Sequence, residues 1–416
     1  MSHRAPLLGW LTAETVSLCG TRLSMVAIPW FVLTTTGSAT TTGLVAFAEM
    51  GPYVVAKAAA GPIMDRLGAA RVSIAADTAS AAVVVAIPLL HHLDLLGLPV
   101  LLVLVALAGL LRGPGDGAKA ALVPEIVDAA QVPTERVTGL HGAAERLAST
   151  AGAALAGLLV AVLGPVNALL LDAGSFAVAA ALIAATAPRR TAAAPEGEDA
   201  SYVTQLRAGW DFLRHDSVLV AMTIMIGITN LLDQAYVVVL VPVWAYDSGH
   251  GAAAVGLVFA VFAGAATVGS LLASAIAHRL PRFATYLVAF LVCGAPRFVV
   301  LAFDVPLWAV LATGAVGGFA AGFINPVLGA VIFERIPRHL VGRVSSLNTA
   351  LCWAGIPFGG LVGGATVAAI GLSPALLLLG GAYLAATMLP ALQPAWRTID
   401  SRPPAASQPS EPVNAD

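Results

Sequence analysis

"GPIMDRLGAAR", residues 61–71, sets an Asp–Arg pair between glycines in the middle of an otherwise apolar tract. A helix needs roughly 20 mostly apolar residues to cross about 30 Å of hydrocarbon, and stretches of that kind lie on both sides of it. The segment therefore reads as a short polar loop joining two membrane-crossing helices. The rest of the chain follows from that reading.

Of 416 residues, 58% are hydrophobic and 11% charged, with a mean hydropathy of +0.88. Soluble domains carry about 25% charged residues, so a water-soluble α/β protein, which would need polar faces, is disfavoured. A net charge of −2 offers no basic surface for nucleic acid. Cys19, Cys293 and Cys352 all fall in apolar stretches without CxxC spacing or a nearby histidine cluster. They read as small core residues rather than disulfides or metal ligands, and no cofactor is expected. Glu14 and Arg22 interrupt the N-terminal apolar region, so that region reads as a retained span and not a cleaved leader.

Breaking the chain at Gly, Pro and charge clusters gives twelve spans. They fall at 8–35, 41–61, 72–91, 98–119, 138–163 and 165–187, then at 217–246, 252–277, 283–303, 306–333, 344–369 and 372–393. Numbering the loops alternately sorts the basic residues. Sixteen of the 21 lie on one side: Arg4, Arg66, Arg71, Lys119, Arg136, Arg189, Arg190, Arg207, Arg214, Arg279, Arg282, Arg335, Arg338, Arg343, Arg397 and Arg402. The other five lie within spans, and the opposite loops carry Asp94, Asp247 and Asp304. The positive-inside rule then places both termini in the cytoplasm of a multi-pass cell-membrane protein. The expected domains are an N-terminal six-helix bundle (1–187), a cytoplasmic linker (188–216), a C-terminal six-helix bundle (217–393) and a disordered tail (394–416). Within the linker, Val203, Leu206, Trp210 and Leu213 have helical spacing, which suits a helix lying along the inner leaflet or the solvated start of span 7.

The two halves look like copies. At an offset of 213 residues, Pro29 meets Pro242, Gly43 meets Gly256 and Gly51 meets Gly264. At an offset of 207, Arg136 meets Arg343, and Gly152 and Gly157 meet Gly359 and Gly364. Two six-helix halves repeated in the same orientation imply a pseudo-two-fold axis along the membrane normal, with bundles that rock about a central cavity.

With this framework the chain resembles the major facilitator superfamily. The loop signature Gly-x-x-x-Asp-Arg-x-Gly-x-x-Arg is present as Gly61, Asp65, Arg66, Gly68 and Arg71, between spans 2 and 3. "PWFVLTTTGSA", "RGPGDGAKAALVPEIV" and "ERIPRHLVGRVSSLN" look like the branch holding macrolide-efflux and enterobactin-type exporters. The resemblance implies an all-α integral membrane fold of two parallel-related six-helix bundles. It also implies a secondary active exporter, proton-coupled, with a bulky amphipathic cargo such as a drug, antibiotic or siderophore.

Gly61 is expected to permit close helix approach and Gly68 a turn with positive φ. Asp65 is placed to meet an arginine of the other bundle when the halves close on the cytoplasmic side. On this reading the loop is a latch; the alternative is an ordinary solvated charge. The family often carries further basic residues where Ala69 and Ala70 stand. In the equivalent C-half loop His278 replaces the acid. On span 5, Gly152 and Gly157 stand where antiporters show Gly-Pro. The proline occurs instead in the C-half copy, as Pro357 before Gly359. These positions read as helix-packing sites.

Eleven ionisable residues fall at membrane depth: Glu14, Arg22, Glu49, Lys57, Arg112, Asp116, Glu145, Arg146, Asp172, Asp233 and Arg297. Each costs about 2.5–3.5 kcal/mol on insertion scales, so each should face a partner or a cavity. Burial favours the protonated carboxyl and a nearby cation the ionised one. An acid whose cation moves during rocking can therefore take up and release a proton. Glu14 and Glu49 are the leading candidates, with Asp172 and Asp233 behind them; a static ion pair is the alternative for each. Asn230, Asp233, Gln234 and Asn325 could supply oriented polar contacts in an otherwise aromatic, apolar C-half cavity.

Other classes remain to be weighed. An importer of the same fold is the near alternative. A membrane enzyme would need a clustered nucleophile, metal set or acid pair, and the eight histidines are scattered. A receptor or scaffold derived from a transporter would be expected to lose its buried charges. No Walker-type loop is present to couple ATP directly.

Overall fold

The computed structural model describes residues 4–187, 210–276, 279–336, 340–392, 396, 399 and 400. Among the described residues there is no strand, and helices follow one another in twelve spans. Spans 1 to 6 are Ala5–Thr36, Ala39–Ala59, Ala69–His92, Leu98–Ala121, Thr134–Leu163 and Pro165–Thr186. Span 7 runs through Ser217–Ala235, a π-helical turn at Tyr236–Leu240, and Val241–Asp247. Span 8 is Gly251–Ile276 and span 12 is Leu372–Met388. Three spans are broken: span 9 into Arg282–Cys293 and Ala295–Leu301, span 10 into Leu307–Ala321 and Ile324–Arg335, and span 11 into Val341–Trp353 and Ile356–Ile370.

Local chemistry explains the breaks. Spans 9 and 11 restart at Ala295 and Ile356, with Pro296 and Pro357 in the first helical turn, where a missing N–H is tolerated. Gly164 and Gly371, 207 residues apart, hold φ of +80° and +82° at the tight turns before spans 6 and 12. Among the described residues ten helices are long and apolar enough to cross a membrane. Span 2 is diluted by three threonines, Glu49 and Lys57, and span 12 has 17 residues.

The repeat seen in the sequence is also a repeat of contacts. Gly109 and Gly113 of span 4 lie on the backbone of Glu49 and Tyr53 in span 2. Gly318 and Gly322 of span 10 lie on the backbone of Phe262 and Ala266 in span 8, the residues 213 positions after Glu49 and Tyr53. A Cβ on Gly113 would meet the Tyr53 carbonyl at 2.6 Å, and one on Gly322 would meet the Ala266 carbonyl at 2.6 Å. Only glycine allows such close approach.

The bundles join along two seams, span 5 against span 8 and span 2 against span 11. A Cβ on Gly157 would lie 2.7 Å from the Gly256 Cα, and one on Gly360 would lie 2.8 Å from the Gly43 carbonyl. Both contacts lie towards the end of the molecule away from the termini. At that far end one core draws on both halves, including Ile28, Val45 and Val160 with Tyr236, Trp244 and Val258. Towards the terminal end that core continues only in the C-terminal bundle, through Tyr286, Leu328 and Trp396, and the remaining packing divides between the halves. Leu7, Trp10, Val72, Leu122 and Ile126 form one cluster entirely within the N-terminal bundle. Leu213 at the end of the linker forms another with Leu219, Ile336 and Val344 of the C-terminal bundle.

An unforeseen short helix, Val123–Ala130, follows span 4. The interfacial helix expected near 202–213 lies outside the described residues except for its end, which is helical over 210–215. Trp396 and Ile399 are buried, with the Trp396 ring 4.8 Å from Tyr286, inside the stretch from 394 expected to be a tail.

Candidate functional site

Span 2 presents Glu49, Tyr53 and Lys57 at four-residue spacing, one face of a helix. Span 4 presents Arg112 and Asp116 in the same way, and Gly109 and Gly113 bring the two faces together. Arg112 Nη1 donates to Glu49 Oε1 at 2.9 Å, with both side chains buried. Its guanidinium lies 4.9 Å from the Tyr53 ring centroid. The Tyr53 hydroxyl donates to Asp116 Oδ2 at 3.1 Å and accepts from Lys57 Nζ at 3.1 Å. Lys57 also reaches across the seam to within 4.8 Å of the Trp353 ring on span 11. Asp116 stands one turn on from Arg112 on the same helix. In the fold Arg112 takes Glu49, and Asp116 takes the tyrosine.

A second buried network lies nearer the terminal end. Lys119 Nζ donates to Asp77 Oδ1 at 2.9 Å and to Ser17 Oγ at 3.0 Å, and its carbonyl accepts from Trp10 Nε1 at 2.9 Å. Glu14 is buried, and its Oε2 has no hydrogen-bond partner. The sequence reading placed Lys119 on the loop side and passed over Asp77. The available signal was an aspartate in the middle of an apolar span, which requires a partner. Glu145 and Arg146, read as buried, are exposed on span 5.

Asp172 on span 6 accepts from the hydroxyls of Ser24 and Ser175. Arg22 Nη2 donates to Ser149 Oγ at 2.8 Å. Gly152 lies against the Arg22 side chain on span 1, and a Cβ there would sit 3.4 Å from its Cβ. Its copy Gly359 lies against Gln234 on span 7, the corresponding distance being 2.7 Å. Pro357 is buried at the break in span 11.

In the C-terminal half, Arg297 pairs with Asp233. Asn230 Nδ2 donates to the Cys352 carbonyl at 2.9 Å. Gln234 lines a small cavity between the bundles with Glu49, Met25 and Met50. A larger recess of about 510 Å³ runs along spans 7 and 11, lined by Trp210, Thr223, Ile224, Ile228 and Leu351 among others. Drug-sized ligands occupy pockets of roughly 300–1,000 Å³ with mostly apolar walls. Asn325 is exposed and lines neither space.

The opening motif forms a short helix, Gly61–Leu67, set off from span 3 by Gly68 at φ +84°. Asp65, Arg66 and Arg71 are exposed. Among the described residues Asp65 makes no ion pair. Gly61 has open space where a Cβ would be, so the close helix approach expected of it is absent in this conformation. His278 lies outside the described residues.

The transmembrane secretion effector family matches residues 5–415. The multidrug efflux pump Tap of Mycobacterium tuberculosis (strain ATCC 25618 / H37Rv) is 32% identical over 413 residues, covering 97% of each chain. Tap of Mycolicibacterium fortuitum is 30% identical over 408 residues, covering 96% of this chain and 98% of that one. Among solved structures, the nucleoside transporter NupG superposes with a TM-score of 0.77 at 13% identity, covering 95% of this chain and 99% of that chain. A bacterial homolog of the human lysosomal transporter Spinster, in an inward-facing and unoccupied conformation, gives 0.72 at 13% identity, covering 97% and 99%. The repeated bundles, the loop motif and these matches agree: the chain belongs to the transmembrane secretion effector family of the major facilitator superfamily.

Proposed function

We propose that this protein exports bulky amphipathic compounds from the cytoplasm across the cell membrane, in exchange for protons, by alternating access. The observation that carries the reading is the division of the core. The bundles share a core at the far end and keep separate ones at the terminal end. With the terminal end in the cytoplasm, as the basic loops indicate, this is a state open to cytoplasmic cargo. The apolar recess along spans 7 and 11 suits a greasy cargo better than a sugar or a small anion, and full-length similarity to two Tap multidrug efflux pumps supports the same class.

On this reading residues 1–187 and 217–393 are the rocking bundles, and 188–216 is the cytoplasmic linker between them. Asp65 is the latch acid, free while the cytoplasmic side is open and engaged when it closes. Glu49 with Arg112, and Glu14 near the Lys119 network, are the sites where proton uptake is tied to rocking. Import would use the same fold, but similarity to efflux pumps favours export.

The test is a susceptibility panel in a host stripped of its own efflux pumps, comparing wild type, Asp65→Asn and Glu14→Gln at matched expression. Macrolides, tetracyclines, dyes and siderophore-like compounds form the panel. Protection by wild type that both variants lose is the expected result. A well-expressed wild type that protects against none of them would overturn the reading.

A further inference from the structure

We propose that Asp233 selects the charge of the cargo, making this a carrier of cationic and neutral amphiphiles that rejects anionic ones. The inference rests on the export reading above and names its substrate class. The two arginine–acid pairs differ in the exposure of the acid. Where Arg112 meets Glu49, the acid side chain is 12% exposed; where Arg297 meets Asp233, the acid is 39% exposed and the arginine 9%. The C-half pair is therefore open on its negative side only.

The arginine is held by more than its counterion. The Arg297 guanidinium carbon lies 4.8 Å from the Tyr236 ring centroid, 5.1 Å from Tyr383, 5.2 Å from Phe298 and 5.6 Å from Phe262. These rings come from spans 7, 12, 9 and 8, so the cation is enclosed by four helices. A cation within about 6 Å of an aromatic face is attracted by the ring quadrupole. Losing the partner of a buried charge is ordinarily a severe penalty. Here the rings remain as partners when Asp233 turns away.

Asp233 can therefore exchange Arg297 for a cationic group on the cargo without stranding a bare guanidinium. An anionic cargo meets the reverse arrangement, because Arg297 is screened by rings and the exposed group is a carboxylate. The neighbours fit the role. Gln234 lines the cavity between the bundles, and Asn230 is fixed to span 11 one turn earlier. Asp233 touches cargo in this scheme, and Arg297 positions it.

The test measures efflux of two cations, ethidium and tetraphenylphosphonium, and of the neutral dye Nile red from pump-stripped cells. Wild type is compared with Asp233→Asn, Asp233→Glu and the double variant Asp233→Asn with Arg297→Met. Surface abundance is matched by blotting, and the double variant keeps the site neutral should a lone Arg297 impair folding. The expected result is an efflux rate for both cations lower by about tenfold or more in the two Asn-containing variants. Nile red efflux should stay near wild type, and Asp233→Glu should recover part of the cation transport. Unchanged cation efflux, or an equal loss for Nile red, would overturn the inference and leave the export reading standing. A wild type that moves only Nile red would do the same. A wild type that moves none of the three would overturn both.

Discussion

Gly157 of span 5 meets Gly256 of span 8 with no side chain between them, so that a Cβ on either would fall within 2.7 Å of the other's Cα. Any larger residue must push the two bundles apart at the far end. Overpacking of this kind costs about 1–3 kcal/mol. Gly157→Val should therefore lower efflux several-fold and make a cysteine placed at the far end more reactive to an impermeant thiol reagent. Gly139→Val is the control, since Gly139 is on the same span and has nothing within 4 Å. Equal behaviour of the two variants would remove the seam from the transport cycle.

Lys119 and Asp77 form a buried pair at 2.9 Å. Removing one partner of such a pair typically costs about 3–5 kcal/mol, whereas removing both is often close to neutral. Lys119→Met and Asp77→Asn should each lower the unfolding midpoint of the detergent-solubilised protein, and the double variant should recover most of the loss. Additive losses would mean that the two groups act separately.

Asp65 is exposed and makes no ion pair among the described residues. Asp65→Asn should therefore leave thermal stability in the terminal-open state unchanged. Transport should still fall, because the closed terminal side loses a contact. Distances between spin labels on the two terminal ends would report it, with a larger open fraction than wild type. A fall in stability with no change in that fraction would assign Asp65 a structural role.

Proton exchange predicts that wild-type efflux in proteoliposomes accelerates when the compartment receiving the cargo is made more acidic, and collapses with a protonophore. Glu49→Gln should lose most of this response while still binding cargo, because Arg112 then has no carboxylate partner on span 2. Glu14→Gln tests the second network in the same assay. Full retention of the pH response in both variants would move coupling to other residues.

Much of the fold could be read from residue types alone. Stretches of apolar residues set the number of spans, and glycine spacing showed the duplication, because backbone-to-backbone contact admits no other residue. Partner choice was harder. Arg112 has an acid one turn away on its own helix, yet it takes Glu49, 63 positions earlier, because Gly109 and Gly113 draw span 2 into reach. Lys119 resembled a loop charge because it sits near a helix end, and only the packing of spans 1, 3 and 4 buries it. The aromatic enclosure of Arg297 draws on four separate spans. No local pattern encodes that arrangement.

Backbone laid on backbone at Gly157–Gly256 and Gly43–Gly360 has no knob seated in a socket and no rotamer that must flip before the surfaces move. If the bundles rock, such a surface would act as a plain bearing, guiding the motion while exerting little torque of its own. On the rocking reading, the force that starts and stops the motion would come from side chains away from these glycine contacts, such as Lys57 over Trp353.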